Sequence, residues 1–254
     1  MKITLNLNKS IHENLAVYHD RVKEVKAKIE NVKKAIAETK KEMEQAKKKQ
    51  EEKGKIVKVA KEKKWFEKFN WFTTSNGKLT IGGKDAKQND VVFAKYMEDN
   101  DLFFHADIQG GTAVILKEGI DADEEEKNEV AQFAASFSNA WKNSNASVDV
   151  YCVKKDQLSK HATGGFIPTG GFAIKGEREW FRSTRLGLKI GKGTEGLEII
   201  PDISKRKLGE EVLLIPSKTG KEKGQVAKSL AKRLNVHPDE LLQILPSGMT
   251  KTRV

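Results

Sequence analysis

This 254-residue chain has one cysteine, Cys152, which excludes an internal disulfide and any multi-cysteine zinc site. Cys152 lies in the apolar run Val150–Val153, the setting of a buried core thiol. No apolar run approaches the roughly 20 residues that a membrane span requires. The opening segment MKITLNLNKS lacks the apolar stretch of a signal peptide, so the expected location is cytoplasmic. Signatures of catalysis are also missing. No GxSxG elbow occurs, and Gly187–Gly193 and Gly220-Lys221 lack the GxxxxGK[ST] spacing that cradles a triphosphate. The histidines His12, His19, His105, His161 and His237 are scattered, and His105-Ala-Asp107 has no evident third ligand for a metal. No catalytic residue, metal or cofactor is therefore assigned, and binding rather than catalysis is expected.

Charge is unevenly distributed. The net charge of +11 divides into +9 over residues 1–64, −7 over residues 65–153 and +9 over residues 154–254. Basic segments favour polyanions because binding releases condensed counterions. An ordinary solvated surface accounts for the same charge, so charge alone leaves nucleic-acid binding open.

Periodicity gives the organisation. Ile3, Leu5 and Leu7 alternate with polar residues and predict a short strand over residues 1–9. Ser10 and Glu13 form an S-x-x-E capping box. Behind it, Leu15, Val22, Ile29, Ile36 and Met43 recur every seven residues, with Tyr18, Val25, Val32, Thr39 and Ala46 in the second apolar position. Heptads without Gly or Pro specify a coiled-coil helix from Ser10 to about Lys53, within an arm and basic linker over residues 10–63. No second heptad run of similar length occurs. The interface residues Leu15, Tyr18, Val22, Val25, Ile29, Val32, Ile36 and Met43 therefore call for a helix from another copy or another polypeptide.

Composition changes at Lys64, after which Trp65, Phe66, Phe69, Trp71 and Phe72 crowd into eight residues. These aromatics suit core packing better than bare stacking platforms. Ser75-Asn76-Gly77 predicts a hairpin between Phe72 and a strand Lys78–Ile81. Asp85–Tyr96 reads as a helix with Val91, Val92 and Ala94 partly buried. Leu102–Ala106, Ala113–Leu116 and Val148–Lys154 read as strands. A helix opened by the acids Asp121–Glu129 is expected to continue through Phe133, Phe137 and Trp141, with its acids on the N-terminal dipole. Short strands between tight turns are expected from His161 to Gly176. A last strand, Val212–Ile215, is separated by Pro216 and Ser217–Gly224 from two terminal helices, Gly224–Leu234 and one begun by Pro238. The fold class is α+β: a long N-terminal coiled-coil helix, a compact mixed domain over residues 64–190, and a C-terminal extension over residues 191–254.

Four ordered blocks carry a family resemblance. They are Trp65-Phe-Glu-Lys-Phe-Asn-Trp71-Phe with Gly82-Gly-Lys-Asp-Ala-Lys-Gln-Asn89-Asp, then Asp101-Leu-Phe-Phe-His105-Ala-Asp107, then Gln157-Leu-Ser159-Lys160, and last Gly170-Gly-Phe-Ala-Ile-Lys-Gly176. Together they resemble the NFACT-R domain, the RNA-binding module of the RqcH/NEMF family of ribosome-associated quality-control factors, in archaeal form. His161-Ala-Thr-Gly-Gly-Phe departs from the family's usual A-P-x-G-E-like segment.

The resemblance implies binding to a large ribosomal subunit carrying stalled peptidyl-tRNA, with contacts to tRNA and rRNA. It also makes the Ser10–Lys53 helix the second arm of an antiparallel coiled coil. The family's NFACT-N half and first arm are missing here, so either the sequence is a fragment or a second polypeptide supplies them. The alternative is a non-catalytic coiled-coil scaffold protein.

Lys84, Asp85, Gln88 and Asn89, at a helix start, suit a phosphate and base or ribose edges. His105 and Asp107 end a strand, and Gln157, Ser159 and Lys160 form a further polar cluster. Lys175, Arg178, Arg182 and Arg185 suit backbone contacts. Turn or cap stabilisation is an equal reading for Asp85 and Asp107, and a solvated face is the favoured reading for any single one of the arginines.

Overall fold

The computed structural model describes residues 4–8, 10–52, 64–160, 167–194 and 196–253, with side chains through residue 44 in the long helix. Ile3, the Ala46 side chain, the linker over 53–63 and the segment from His161 to Phe166 lie outside these residues. The chain divides into two compact units, Met1–Glu62 and Lys63–Val254.

The first unit is one helix, α1 (Ile11–Glu52). Its start is the expected capping box: the Ser10 amide donates to Glu13 Oε2 at 2.7 Å, and the Glu13 amide donates to Ser10 Oγ at 3.3 Å. At about 1.5 Å per residue the helix is about 63 Å long. Leu15, Val22, Val25, Ile29, Val32, Ile36 and Met43 are each 47–58% exposed, so the apolar seam is a continuous uncovered stripe, with Tyr18 half-buried.

The strand expected around Leu5 and Leu7 is not formed. The Thr4 amide instead donates to the Tyr18 hydroxyl at 2.9 Å, and the Tyr18 hydroxyl donates to the Thr4 carbonyl at 2.6 Å. Asn14 Nδ2 reaches the Asn6 carbonyl at 3.0 Å. Helix side chains thus satisfy backbone groups that a strand would need a neighbour to satisfy.

The second unit is built on a six-stranded antiparallel sheet. Its strands are β1 (Asn70–Thr73), β2 (Leu79–Gly82), β3 (Leu102–Ala106), β4 (Val114–Leu116), β5 (Ser147–Lys154) and β8 (Glu179–Arg185), in the order β1-β2-β4-β3-β5-β8. A two-stranded ladder of β6 (Leu158–Ser159) and β7 (Ala173–Ile174) lies between β5 and β8 in the chain. A second antiparallel sheet, ordered β10-β9-β11-β12, comprises β9 (Leu188–Gly193), β10 (Gly196–Pro201), β11 (Gly209–Lys221) and β12 (Thr250–Arg253).

Helices α2 (Ala86–Val91), α3 (Glu124–Ser136), α4 (Asn139–Lys142), α5 (Lys223–Leu234) and α6 (Pro238–Ile244) complete the unit.

Alternation explains why β3 and β5 read as unbroken apolar runs. Phe104, Val150 and Cys152 face one side, where they join α3 and the second sheet in a core that extends to Leu245. Phe103, Tyr151 and Val153 face the other, with Phe69, Val92 and Met97. Strands buried on both faces need apolar residues at every position. Burial also raises the Cys152 thiol pKa, so it stays protonated and inert.

Several expectations require correction. The acidic helix ends at Ser136. Ser138 Oγ donates to the Ala135 carbonyl at 2.7 Å and accepts from the Ala140 amide at 3.1 Å, so it ends one helix and caps the next. Of the acids, Asp123 caps α3, while Glu126 and Glu129 are buried and hold the hairpin turn: Thr74 Oγ1 donates to Glu126 at 2.5 Å, and the Ser75 amide donates to Glu129 at 3.0 Å.

The helix from Asp85 changes to a π-helical turn at Val92–Tyr96, which leaves Ala94 exposed. The strand expected to stop at Ile215 continues through Pro216 to Lys221, because β12 pairs with it. Pro can occupy such a strand where its missing N–H interrupts no ladder.

Candidate nucleic-acid interface

Strand register creates an aromatic row. His105 on β3 stands opposite Tyr151 on β5, and Tyr151 stands opposite Trp180 on β8. Ring centroids are 5.7 Å apart for His105–Tyr151 and 5.6 Å for Tyr151–Trp180. The row continues through Phe103, 6.3 Å from His105, to Phe172, 5.1 Å from Phe103.

Cations border it. The Arg178 guanidinium lies 4.8 Å from the Tyr151 ring and 5.7 Å from that of Trp180, and Arg182 lies 4.0 Å over Trp180. Stacked aromatics and guanidinium planes are the means by which proteins hold unstacked bases beside a phosphate backbone.

Arg182 and the bend of β8 beside it are held by Asp149. Arg182 Nη1 donates to Asp149 at 2.7 Å, and so does the Ser183 amide. The Ser183 amide and then Arg182 hold the Asp149 carboxyl below the usual carboxylate range. Ser183 has φ 49°, the left-handed conformation of a bulged edge strand. Arg178 makes no ion pair among the described residues.

Burial pushes the His105 imidazole below the ordinary histidine value, against the pull of the Ala106 and Gly111 carbonyls. Its Nδ1 has no hydrogen-bond partner among the described residues. Gly111 closes on the ring so tightly that a Cβ there would lie 2.6 Å from His105 Cε1.

The other expected site residues divide by what they touch. Asp85 caps α2, accepting from the Gln88 amide at 2.8 Å, and Gln88 Oε1 accepts from the Lys84 amide at 3.1 Å. Buried Asn89 bonds the β3–β4 loop: Nδ2 donates to the Gly111 carbonyl and Oδ1 accepts from the Ala113 amide at 3.1 Å. Gln157 fastens its turn to the Lys175 and Glu177 carbonyls at 3.2 and 2.6 Å. Lys160 pairs with Asp90, donates to the Gly171 carbonyl at 2.7 Å and lies 3.8 Å over the Phe172 ring.

Lys84, Asp107, Lys175 and Arg178 are exposed, and Ser159 is half-buried on β6. Arg185 bonds Asp202 at 3.0 Å, which draws it to the second sheet. Thus His105, Arg178 and Arg182 come together, while Asp85, Gln88, Asn89, Gln157 and Lys160 brace the loops around them. Tyr151 and Trp180 were not among the expected residues. The alternation Arg178, Trp180, Arg182 on one strand face was the available signal.

Residues 68–176 match the family model described as the NFACT protein RNA binding domain. The second unit therefore contains an RNA-binding domain of the mixed α+β class. In particular, residues 68–176 are an NFACT-R domain.

The chain is similar to the archaeal Rqc2 homologue aRqcH of Methanocaldococcus jannaschii, 41% identical over 201 residues, covering 75% of this chain and 30% of that protein. It is also similar to the NEMF homologue of Drosophila melanogaster, a ribosome quality control complex subunit, 37% identical over 140 residues, covering 53% of this chain and 14% of that protein. A solved structure, the C-terminal part of the fibronectin/fibrinogen-binding protein from Streptococcus suis, aligns with a TM-score of 0.40 and 27% identity, covering 51% of this chain and 49% of that one. The chain spans less than a third of the length of these two curated relatives.

Proposed function

We propose that this protein is a non-catalytic RNA-binding component of ribosome-associated quality control, acting in the cytoplasm on the large ribosomal subunit and its stalled peptidyl-tRNA. Trp180, the half-exposed end of the row His105–Tyr151–Trp180, carries the reading together with Arg178 and Arg182. It offers a flat ring for an unpaired base, with buried Tyr151 behind it, and the two arginines offer delocalised cations for the adjoining phosphates. The two basic flanks add sequence-independent attraction for the same polyanion. The names of the relatives support the ribosomal setting, and tRNA and rRNA are the ligands that setting supplies.

The uncovered seam of α1 supports a protein partner as well. A helix presenting Leu15, Val22, Val25, Ile29 and Val32 to water is paired in the working assembly, with a polypeptide bearing the NFACT-N half or with a second copy. A pure scaffold would use that seam alone and leave the aromatic row idle.

Filter binding of tRNA and of purified large subunits across a salt series separates the two. RNA binding predicts affinity falling linearly on a log–log plot against salt. Absent or salt-independent binding leaves the scaffold reading.

A further inference from the structure

A concavity lined in part by Gly110, and by none of the rings of the aromatic row, lies between α4, α5 and the chain's tail. Its volume is about 240 Å³, and three lysines line it: Lys84 from the start of α2, Lys142 from the end of α4 and Lys223 from the first turn of α5. Asn139, Gln243 and Ser247 add amides and a hydroxyl, and among the described residues no carboxylate lines the cavity. Lys142 and Lys223 make no ion pair among the described residues.

Burial pushes the Lys223 ammonium below its ordinary lysine value, with no carboxylate acting to restore it. An ammonium held at a desolvated wall without an anion is a cost that a ligand of opposite charge removes.

The cavity is built by parts distant in sequence. Gly248, at φ +128°, presses on α4 so closely that a Cβ there would lie 2.8 Å from Lys142 Cα. That contact brings Pro246 and Ser247 to the rim. The Lys223, Gln243 and Ser247 walls lie beyond residue 176, outside the matched RNA-binding domain.

We propose that this cavity is a phosphate-binding pocket, taking a phosphate group of the RNA held by the aromatic row. Its volume falls below the roughly 300–1,000 Å³ of pockets that enclose a drug-sized ligand, and suits one phosphate with part of its sugar. Identification of the phosphate as an RNA phosphate rests on the proposed RNA-binding function. The pocket itself rests on the three lysines.

The test compares the full chain with Lys142→Gln and with Lys142→Gln/Lys223→Gln. Two measurements are made: tRNA binding across a salt series, and lysine side-chain NMR shifts during titration with inorganic phosphate. The expected result is a salt slope lowered by about one unit for each lysine engaged, with affinity reduced about tenfold in the double variant at low salt. Inorganic phosphate should shift the Lys142 and Lys223 signals saturably.

Unchanged slope and affinity in a double variant whose thermal midpoint matches the parent would overturn the RNA assignment. Loss of the phosphate response alone then marks a site for free phosphate. Lys142→Gln, on an exposed side chain, guards against misfolding of the double variant. If the parent binds no tRNA, the RNA-binding function fails by itself. The phosphate titration still decides the pocket, and the absence of a saturable shift sinks it.

Discussion

Lys160 and Asp90 form an ion pair that ties the β6 strand to helix α2, and the same ammonium lies 3.8 Å over the Phe172 ring. Asp90 also accepts the Gly170 amide at 3.1 Å. The lysine that the resemblance marks for RNA is thus also a strut between two loops. Lys160→Gln should lower stability by roughly 1–3 kcal/mol, since it leaves Asp90 with a half-enclosed, uncompensated charge. Urea unfolding measures this. A loss of RNA affinity without a loss of stability would instead place Lys160 on the ligand.

Trp180 should dominate RNA affinity. Stacking of a base on an aromatic ring contributes about 1–3 kcal/mol. Trp180→Ala should therefore weaken tRNA binding about 5- to 150-fold, and Trp180→Phe should recover most of it. Arg178→Gln should flatten the salt slope by about one unit. Equal binding by Trp180→Ala and the parent would remove the row from the interface.

His105 sets a pH dependence. Its folded pKa lies below the unfolded value, so the unfolded chain binds the proton more readily. The neutral ring's contribution to stability is present above about pH 6.5 and declines as pH falls below it. Thermal unfolding from pH 8 to pH 5 should show that decline. His105→Gln should flatten it in this interval.

Gly111→Ala tests the packing behind the row. The added methyl would meet His105 Cε1 at 2.6 Å and Nε2 at 2.8 Å, and the imidazole is enclosed by its neighbours. A loss of about 1–3 kcal/mol is expected from overpacking. Chemical denaturation gives the value, and a neutral result would show that the loop yields freely.

The α1 seam should associate when offered no other helix. Sedimentation equilibrium of the full chain should show concentration-dependent dimers, because seven half-exposed apolar side chains lie in one stripe. Ile29→Asp should return the chain to monomer. A parent that stays monomeric at high concentration would require a different partner for the seam.

Local patterns made much of this protein legible. The Ser10–Glu13 box, the long helix α1 that carries the heptads and the apolar runs of β3, β4 and β5 are each written in neighbouring residues, and each of these elements forms as expected. Pro238 likewise marks the start of α6. Expectations failed where a distant partner decides. Leu5 and Leu7 alternate like a strand but find no strand to pair with. Pro216 looks like a terminator, yet β12 arrives from more than thirty residues further on to extend its strand.

The site shows the same division. The resemblance singled out His105 and Lys160, basic charge singled out the arginines, and the helix-start pattern singled out Asp85. Nothing in one stretch of sequence states that Tyr151 and Trp180 stand beside His105, because register across β3, β5 and β8 brings them there. Lys84, Lys142 and Lys223 share a cavity only after α4, α5 and the tail have packed. Period and propensity act within a few residues and are visible in the chain itself. Register and packing are chosen by the burial of the whole core, so tertiary structure alone determined which candidates meet.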